Sequence, residues 1–261
     1  MEETNEEEVA SQLLRSWPEH RWERVTDGCS PARVFRMSRQ GQVVGYAKQA
    51  RPGGPLPLQD EIARLRWAAG RIPSPRLLDA GRGSWVWMVT SVVQGEAAHE
   101  PTWRRAPEAT VVQLAATLRQ LHAVPIDDCP FDARLPVLME RVRTNVAMEW
   151  VDEEDFDPER RGWTGAEVLA ELEASQPSGD PSVLTHGDPC LPNVVLDGAG
   201  GYGWIDLGGL GVGDPYRDLA LMARSAEYNL GRGWGERLLE AYGGPIDRQR
   251  LSWYRLLDEL M

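Results

Sequence analysis

Between residues 185 and 210 the chain reads THGDPCLPNVVLDGAGGYGWIDLGGL, which gathers His186, Asp188, Asn193 and Asp206. Asp188 and Asn193 have the DxxxxN spacing of a phosphoryl-transfer catalytic loop. In that loop a carboxylate accepts or orients the proton of an attacking hydroxyl, and an amide oxygen meets a metal ion. Two β-prone runs, Val194–Leu196 and 202–207, flank Asp197-Gly198-Ala199-Gly200-Gly201. The predicted hairpin sets Val194 opposite Trp204 and brings Asn193 and Asp206 together at its open end. Asn193 and Asp206 offer hard oxygen ligands that suit Mg²⁺ on nucleotide phosphates, with Asp188 as the base beside them. His186 is expected to bond the loop backbone rather than act as a base.

A second pair lies earlier. Lys48 falls in a β-prone run with Val43, Val44, Tyr46 and Ala47, and Glu61 falls early in the following helical stretch. A strand lysine held by a helix glutamate can keep a cation on the α and β phosphates of a nucleotide. The turn Asp27-Gly28-Cys29-Ser30-Pro31 offers backbone N–H groups and the Ser30 hydroxyl as further phosphate donors. Other chemistries lack their residues. There is no GxSxG nucleophile elbow, and His20, His99, His122 and His186 make no HExxH pattern. His122, at the end of an apolar helix face, reads as a packed or capping residue.

The elements that must position these groups come in two sets. Residues 1–25 read as one short helix with an acidic, solvated first part. Strands are expected over 32–37, 42–48 and 85–93, with a helix over 58–69 carrying Ile62, Leu65 and Ala69 on one stripe. After Gly95 the pattern turns helical, over 111–124, 135–150, 164–174, 218–228, 234–242 and 247–260. Thr164 and Glu167 form a capping box at the start of the third of these. The chain is therefore α+β, with an N-terminal antiparallel sheet and one main helix over 1–94, then a mostly helical part over 95–261 built around one hairpin. With 261 residues it has ample core to fold without staples. Its 28 basic against 40 acidic residues, a formal net charge of −12, argue against a nucleic-acid partner and suit a cationic ligand. Three scattered cysteines without a CxxC pair, and an acidic N-terminus unlike a signal peptide, point to the reducing cytoplasm. No apolar run has the ~20 residues a membrane span needs, and no protein partner is implied.

With SPARVFRM, GYAK, IPSPRLL, LHAVPIDDCPFD, VDEEDFD, THGDPCLPN, WIDLGGLGVGDPYRDLAL and the ending LLDELM, the chain resembles the aminoglycoside 3′-phosphotransferases over nearly its whole length. These are kanamycin kinases, antibiotic-resistance enzymes with a protein-kinase-like fold. The resemblance implies two lobes with MgATP in the cleft and a hinge at about 90–95. It implies that Ser91 and Val93 bond adenine through their backbone and that Tyr46 stacks on it. Lys48 and Glu61 would serve the phosphates, Asp188 the acceptor hydroxyl, and Asn193 and Asp206 the Mg²⁺. The γ-phosphoryl group of ATP would pass directly to a sugar hydroxyl. Acidic residues would bind the polyamine acceptor: Asp155, Asp157 and Glu159 in the connector, Asp258, Glu259 and the carboxylate of Met261 in the tail, with Arg224 and Glu227 between them.

The chain departs from that pattern on the sugar side. Gly209 stands where the family usually has arginine, and Pro158 replaces an acid. In the segment 225–229 only Glu227 remains of several acids, and Met261 replaces phenylalanine. Two alternatives follow: a kinase of another small hydroxylated molecule, or a nucleotide-binding module without catalysis. A protein kinase is disfavoured, because HRD and DFG are missing and no APE follows Asp188.

Overall fold

The computed structural model of the protein describes residues 11–26, 32–53, 57–179 and 181–261. The chain forms two compact units, Met1–Gln94 and Gly95–Met261.

The first unit begins with helix α1 (Ser11–Ser16) and continues into strands β1 (Arg21–Val25), β2 (Arg33–Arg39) and β3 (Gln42–Ala50). Helix α2 (Leu58–Ala68) then leads to β4 (Leu77–Arg82) and β5 (Val86–Ser91). All five strands make one antiparallel sheet in the order β1-β2-β3-β5-β4. The single helix expected over 1–25 is corrected by β1. Pro18 cannot continue a helix past α1, and Trp22 then points alone into the core from an otherwise exposed strand. Leu13, Trp22, Phe35, Met37, Ala47, Trp87 and Val89 pack as one buried cluster on the sheet. β4 had no sequence signal, because its residues are mostly half-buried and follow a proline-punctuated turn.

α2 buries Leu58, Glu61, Ile62, Leu65 and Ala68. These recur at three- and four-residue intervals, one stripe of an amphipathic helix. Glu61 lies inside that stripe, so its carboxylate requires a cation once buried.

The second unit opens with β6 (Glu96–Ala97), α3 (Pro101–Arg104), α4 (Pro107–His122), α5 (Leu135–Ala147) and α6 (Gly165–Ala174). β7 (Val183–Thr185), β8 (Val194–Leu196), β9 (Tyr202–Trp204) and β10 (Gly211–Gly213) follow. Helices α7 (Pro215–Leu230), α8 (Trp234–Tyr242) and α9 (Arg248–Asp258) complete it. The hairpin forms as expected, with Val194 opposite Trp204, and β6 pairs with β8 to make a third strand. Its second strand stops at Trp204 rather than Leu207, because Asp206 turns into the left-handed region (φ 60°) and a 3₁₀ turn occupies Leu207–Gly209. β7 and β10 pair antiparallel, Thr185 opposite Gly211, and bracket the whole segment. The Thr164–Glu167 capping box is present at the start of α6.

Helix α7 is buried nearly all round, with Arg217, Asp218 and Ser225 among its apolar buried residues. A helix so enclosed is a core element, and its polar side chains need partners. Asp218 and Ser225 find theirs in the loop that carries Asp188 and Asn193, and Arg217 reaches the Gly209 carbonyl. Among the described residues no helix is long and apolar enough to cross a membrane.

Candidate active site

In the first unit Lys48 Nζ lies 3.1 Å from both Glu61 carboxylate oxygens. Both side chains are largely buried. Lys48 sits between Val34 and Met88 in the sheet register, which fixes its direction. Tyr46 is opposite Thr90. The N–H of Ser91 donates to the Arg76 carbonyl at 2.9 Å, and its hydroxyl accepts from the Arg76 N–H at 2.9 Å. The Ser91 N–H is therefore already used, while its carbonyl and the hydrogen of its hydroxyl are left for further contacts. Val93 is half-buried just after β5. Ser30 lies outside the described residues.

In the second unit, Asn193 closes a 3₁₀ turn, Leu191–Asn193, and its Nδ2 donates to Asp188 Oδ2 at 2.9 Å and to the Asp188 carbonyl at 3.0 Å. With both amide hydrogens spent on Asp188, the ligand atom Asn193 has to offer is Oδ1. The backbone N–H of Ile205 bonds the Asn193 carbonyl at 3.0 Å, which places Asp206 one residue beyond the ladder. Among the described residues no three His, Cys, Asp or Glu side chains could hold a metal. An Asn oxygen and one carboxylate still fit Mg²⁺, which keeps several waters and takes its other ligands from phosphates.

The loop is held from below. The Asp188 N–H donates to His186 Nδ1 at 3.3 Å, so Nε2 carries the ring proton and donates to the Ile205 carbonyl at 3.0 Å. His186 is fully buried against Trp204, the structural prop expected of it. Asp218, also fully buried, accepts the His186 N–H at 2.7 Å and the Gly187 N–H at 2.8 Å. His122 Nε2 reaches the same carboxylate at 3.1 Å, and its Nδ1 meets the Tyr242 hydroxyl at 2.8 Å. Burial works to raise the Asp218 pKa, but the bonds from His122 and Gly187 outweigh it and hold the carboxyl below its usual range. Ser225 Oγ accepts the Leu191 N–H at 2.9 Å and pins the turn that carries Asn193. Cys190, beside Asp188, has its thiol pushed far up by burial and by that carboxylate, so it is no nucleophile.

The expected acceptor residues divide. Arg224 joins Asp157 (3.0 Å) to Asp258 (2.9 Å). Arg160 pairs with Glu259 at 3.0 Å, and Glu259 accepts the Asp157 N–H. Burial raises Asp258 to about 6; Arg224 and Arg217 counteract it, while Asp188 and Glu259 add to it. Burial also raises Glu259. Asp155 and Glu159 are exposed and stand outside this network. Met261 is tied through its main-chain oxygen to Asn145 Nδ2 at 3.3 Å. The Glu227 carboxylate accepts the N–H groups of Gly233 (2.8 Å) and Gly235 (3.1 Å), capping the start of α8. The positive helix end there attracts it.

Sequence reasoning passed over Asp218, Arg217 and Arg160. An aspartate leading into Leu219, Ala220 and Leu221 was a usable signal, since a carboxylate among apolar helix residues must hold something. At Gly209, where the resemblance expects arginine, the structure brings the Arg217 guanidinium instead, with Nη1 3.4 Å from the Gly209 carbonyl.

Comparison with known proteins finds relatives over nearly the whole chain. The model of the phosphotransferase enzyme family (APH) matches residues 21–254. An aminoglycoside 3′-phosphotransferase of Streptomyces fradiae is 39% identical, over 95% of this chain and 98% of the relative. The crystal structure of an aminoglycoside-3′-phosphotransferase of type VIII superposes with a TM-score of 0.88 at 36% identity, covering 98% of each chain. The aminoglycoside phosphotransferase APH(3″)-Id of Streptomyces rimosus, in complex with ADP and streptomycin, gives 0.80 at 33% identity over 95% of each chain.

Proposed function

The chain belongs to the phosphotransferase enzyme family, among its aminoglycoside phosphotransferases, and from that premise we propose that it moves the γ-phosphoryl group of ATP to the 3′-hydroxyl of an aminoglycoside. The observation that carries the reading is the 2.9 Å bond between Asn193 and Asp188, which fixes both side chains of the DxxxxN loop in one geometry. Asp188 accepts the proton of the acceptor hydroxyl as its oxygen attacks phosphorus. Asn193 through Oδ1 and Asp206 through its carboxylate would hold Mg²⁺, which would supply positive charge to the nucleotide phosphates. Lys48, fixed by Glu61, bonds the α and β phosphates, aided by Ser30. Tyr46 and the backbone of Ser91 and Val93 serve the adenine. Asp218 and His186 keep the loop rigid, so little reorganisation is left for the reacting state.

The acceptor is a polyamine, and Asp157, Asp258 and Glu259 supply its carboxylates, with Asp155, Glu159 and the Met261 carboxylate as outlying charges. Arg224 orients Asp157 and Asp258. The capping role of Glu227 favours a second reading at the same site, a shift in which aminoglycoside hydroxyl is used. The relative with bound streptomycin is of the 3″ type by its name. Assays of ATP consumption on kanamycin- and neomycin-type compounds, their 3′-deoxy counterparts and streptomycin separate the readings. Turnover lost with the 3′-hydroxyl supports 3′ transfer; turnover on 3′-deoxy compounds or on streptomycin alone supports the second.

A further inference from the structure

Arg217 is buried to 5% exposure in the first turn of α7. Its guanidinium gives one long bond, 3.4 Å to the Gly209 carbonyl, and meets no carboxylate at ion-pair distance among the described residues. Nη1 lies against Gly187, where a Cβ would approach it to 2.8 Å. That glycine immediately precedes Asp188. A guanidinium brings five donors and a charge that cannot be shed, so burying it with one poor acceptor is costly. Its neighbour Asp218 supports the charge most, Arg141 opposes it, and Asp258 and Asp188 add weaker support. Desolvation is the largest influence on the group and works against its charge.

A buried cation kept at a cost to stability implies an anion that visits. We propose that Arg217 binds the phosphoryl group as it reaches the acceptor, a charge clamp supplied from α7 on the Asp188 side. In the step it serves, the bond between the γ phosphorus and the β–γ bridging oxygen breaks, and its electron pair stays on ADP. The acceptor oxygen bonds to phosphorus, and its proton passes to Asp188. Arg217 donates to the equatorial oxygens during transfer and to the phosphate ester formed. This role rests on the phosphoryl-transfer reading above.

The test compares wild type with Arg217→Met, which keeps length and removes charge, and with Arg217→Lys. MgADP with aluminium fluoride serves as probe, since it mimics the phosphoryl group in transit and needs no particular acceptor. The expected results for Arg217→Met are a melting temperature equal to or above wild type, MgADP affinity within about threefold, and fluoride-complex affinity reduced by about tenfold or more, with kcat falling alongside, as for a contact made only in the transition state. Arg217→Lys should recover part of the fluoride affinity. A large fall in melting temperature would make Arg217 a structural brace. Unchanged fluoride affinity with slowed turnover would make it act through other residues, and unchanged kcat would remove it from the reaction; each overturns the proposal. If wild type itself forms no fluoride complex, the phosphoryl-transfer reading fails first, and the clamp with it.

Discussion

At the scale of single residues, two carboxylates carry opposite tasks. Asp188 is held by the Asn193 amide and by a backbone fixed on Asp218. Replacing Asp188 with Asn keeps the size and removes the proton acceptor. The expected result is a fall in kcat of roughly 10²–10⁴, measured by coupled ADP release, with MgATP binding retained. Asp258 is set apart by its environment. Burial lifts it to about 6, against the pull of Arg224, while Asp188, Glu259 and Cys190 lie nearby and Arg217 opposes them. A carboxyl raised above its ordinary 3.8 favours the folded state in its protonated form. Its contribution to stability is therefore full below about 4 and is lost as pH rises through about 6. Binding runs the other way, because only the ionised group attracts an ammonium. Acceptor KM should fall as pH rises through about 6, and Asp258→Asn should flatten both the KM profile and the stability profile across that window. A wild-type slope that persists in the variant assigns the titration to another group.

At the scale of elements, the loop before Asp188 depends on a close approach of two backbones. Gly187 takes φ +88°, and a Cβ there would meet the Gly209 carbonyl oxygen at 2.4 Å. Gly187→Ala should cost about 1–2 kcal/mol from backbone conformation alone, with the clash added, and should slow turnover while leaving MgADP affinity near wild type. Urea unfolding and kcat measure the two. Thr164→Ala removes the α6 cap and should cost about 1 kcal/mol with kcat unchanged. The hairpin, the α6 capping box and the helices α4 to α9 were legible because their signals are local: turn glycines, a Thr and a Glu three apart, apolar stripes. β1, β4 and the β7–β10 pair were not, because a short strand is defined by partners distant in sequence. The same reason hid Asp218, whose partners are backbone groups of His186 and Gly187. The capping role of Glu227 was hidden for that reason too, since the start of α8, with three glycines among residues 231–235, is what brings its N–H groups to the carboxylate.

At the scale of the molecule, sequence, fold and family agree on an aminoglycoside phosphotransferase, and the chain's departures from the family pattern fall among the residues proposed to bind the acceptor. There the arginines at 160, 217 and 224 sit among Asp157, Asp188, Asp258 and Glu259, so the site is less acidic than the net charge of −12 suggests. Attraction of a polycation then comes partly from the whole surface. Acceptor KM should rise with ionic strength between low and physiological salt, where screening shortens to about 8 Å, while KM for ATP changes less. A salt-independent acceptor KM would confine recognition to the half-buried network around Arg224. The central claim, phosphoryl transfer to the 3′-hydroxyl of an aminoglycoside, is tested most directly by incubating the protein with MgATP and a kanamycin-type compound or its 3′-deoxy counterpart, then locating phosphate on the product by NMR. The account predicts a single phosphate ester at the 3′-oxygen and none on the 3′-deoxy compound. Phosphate elsewhere on the sugar, or no transfer to any aminoglycoside from a protein that binds MgATP, would contradict it.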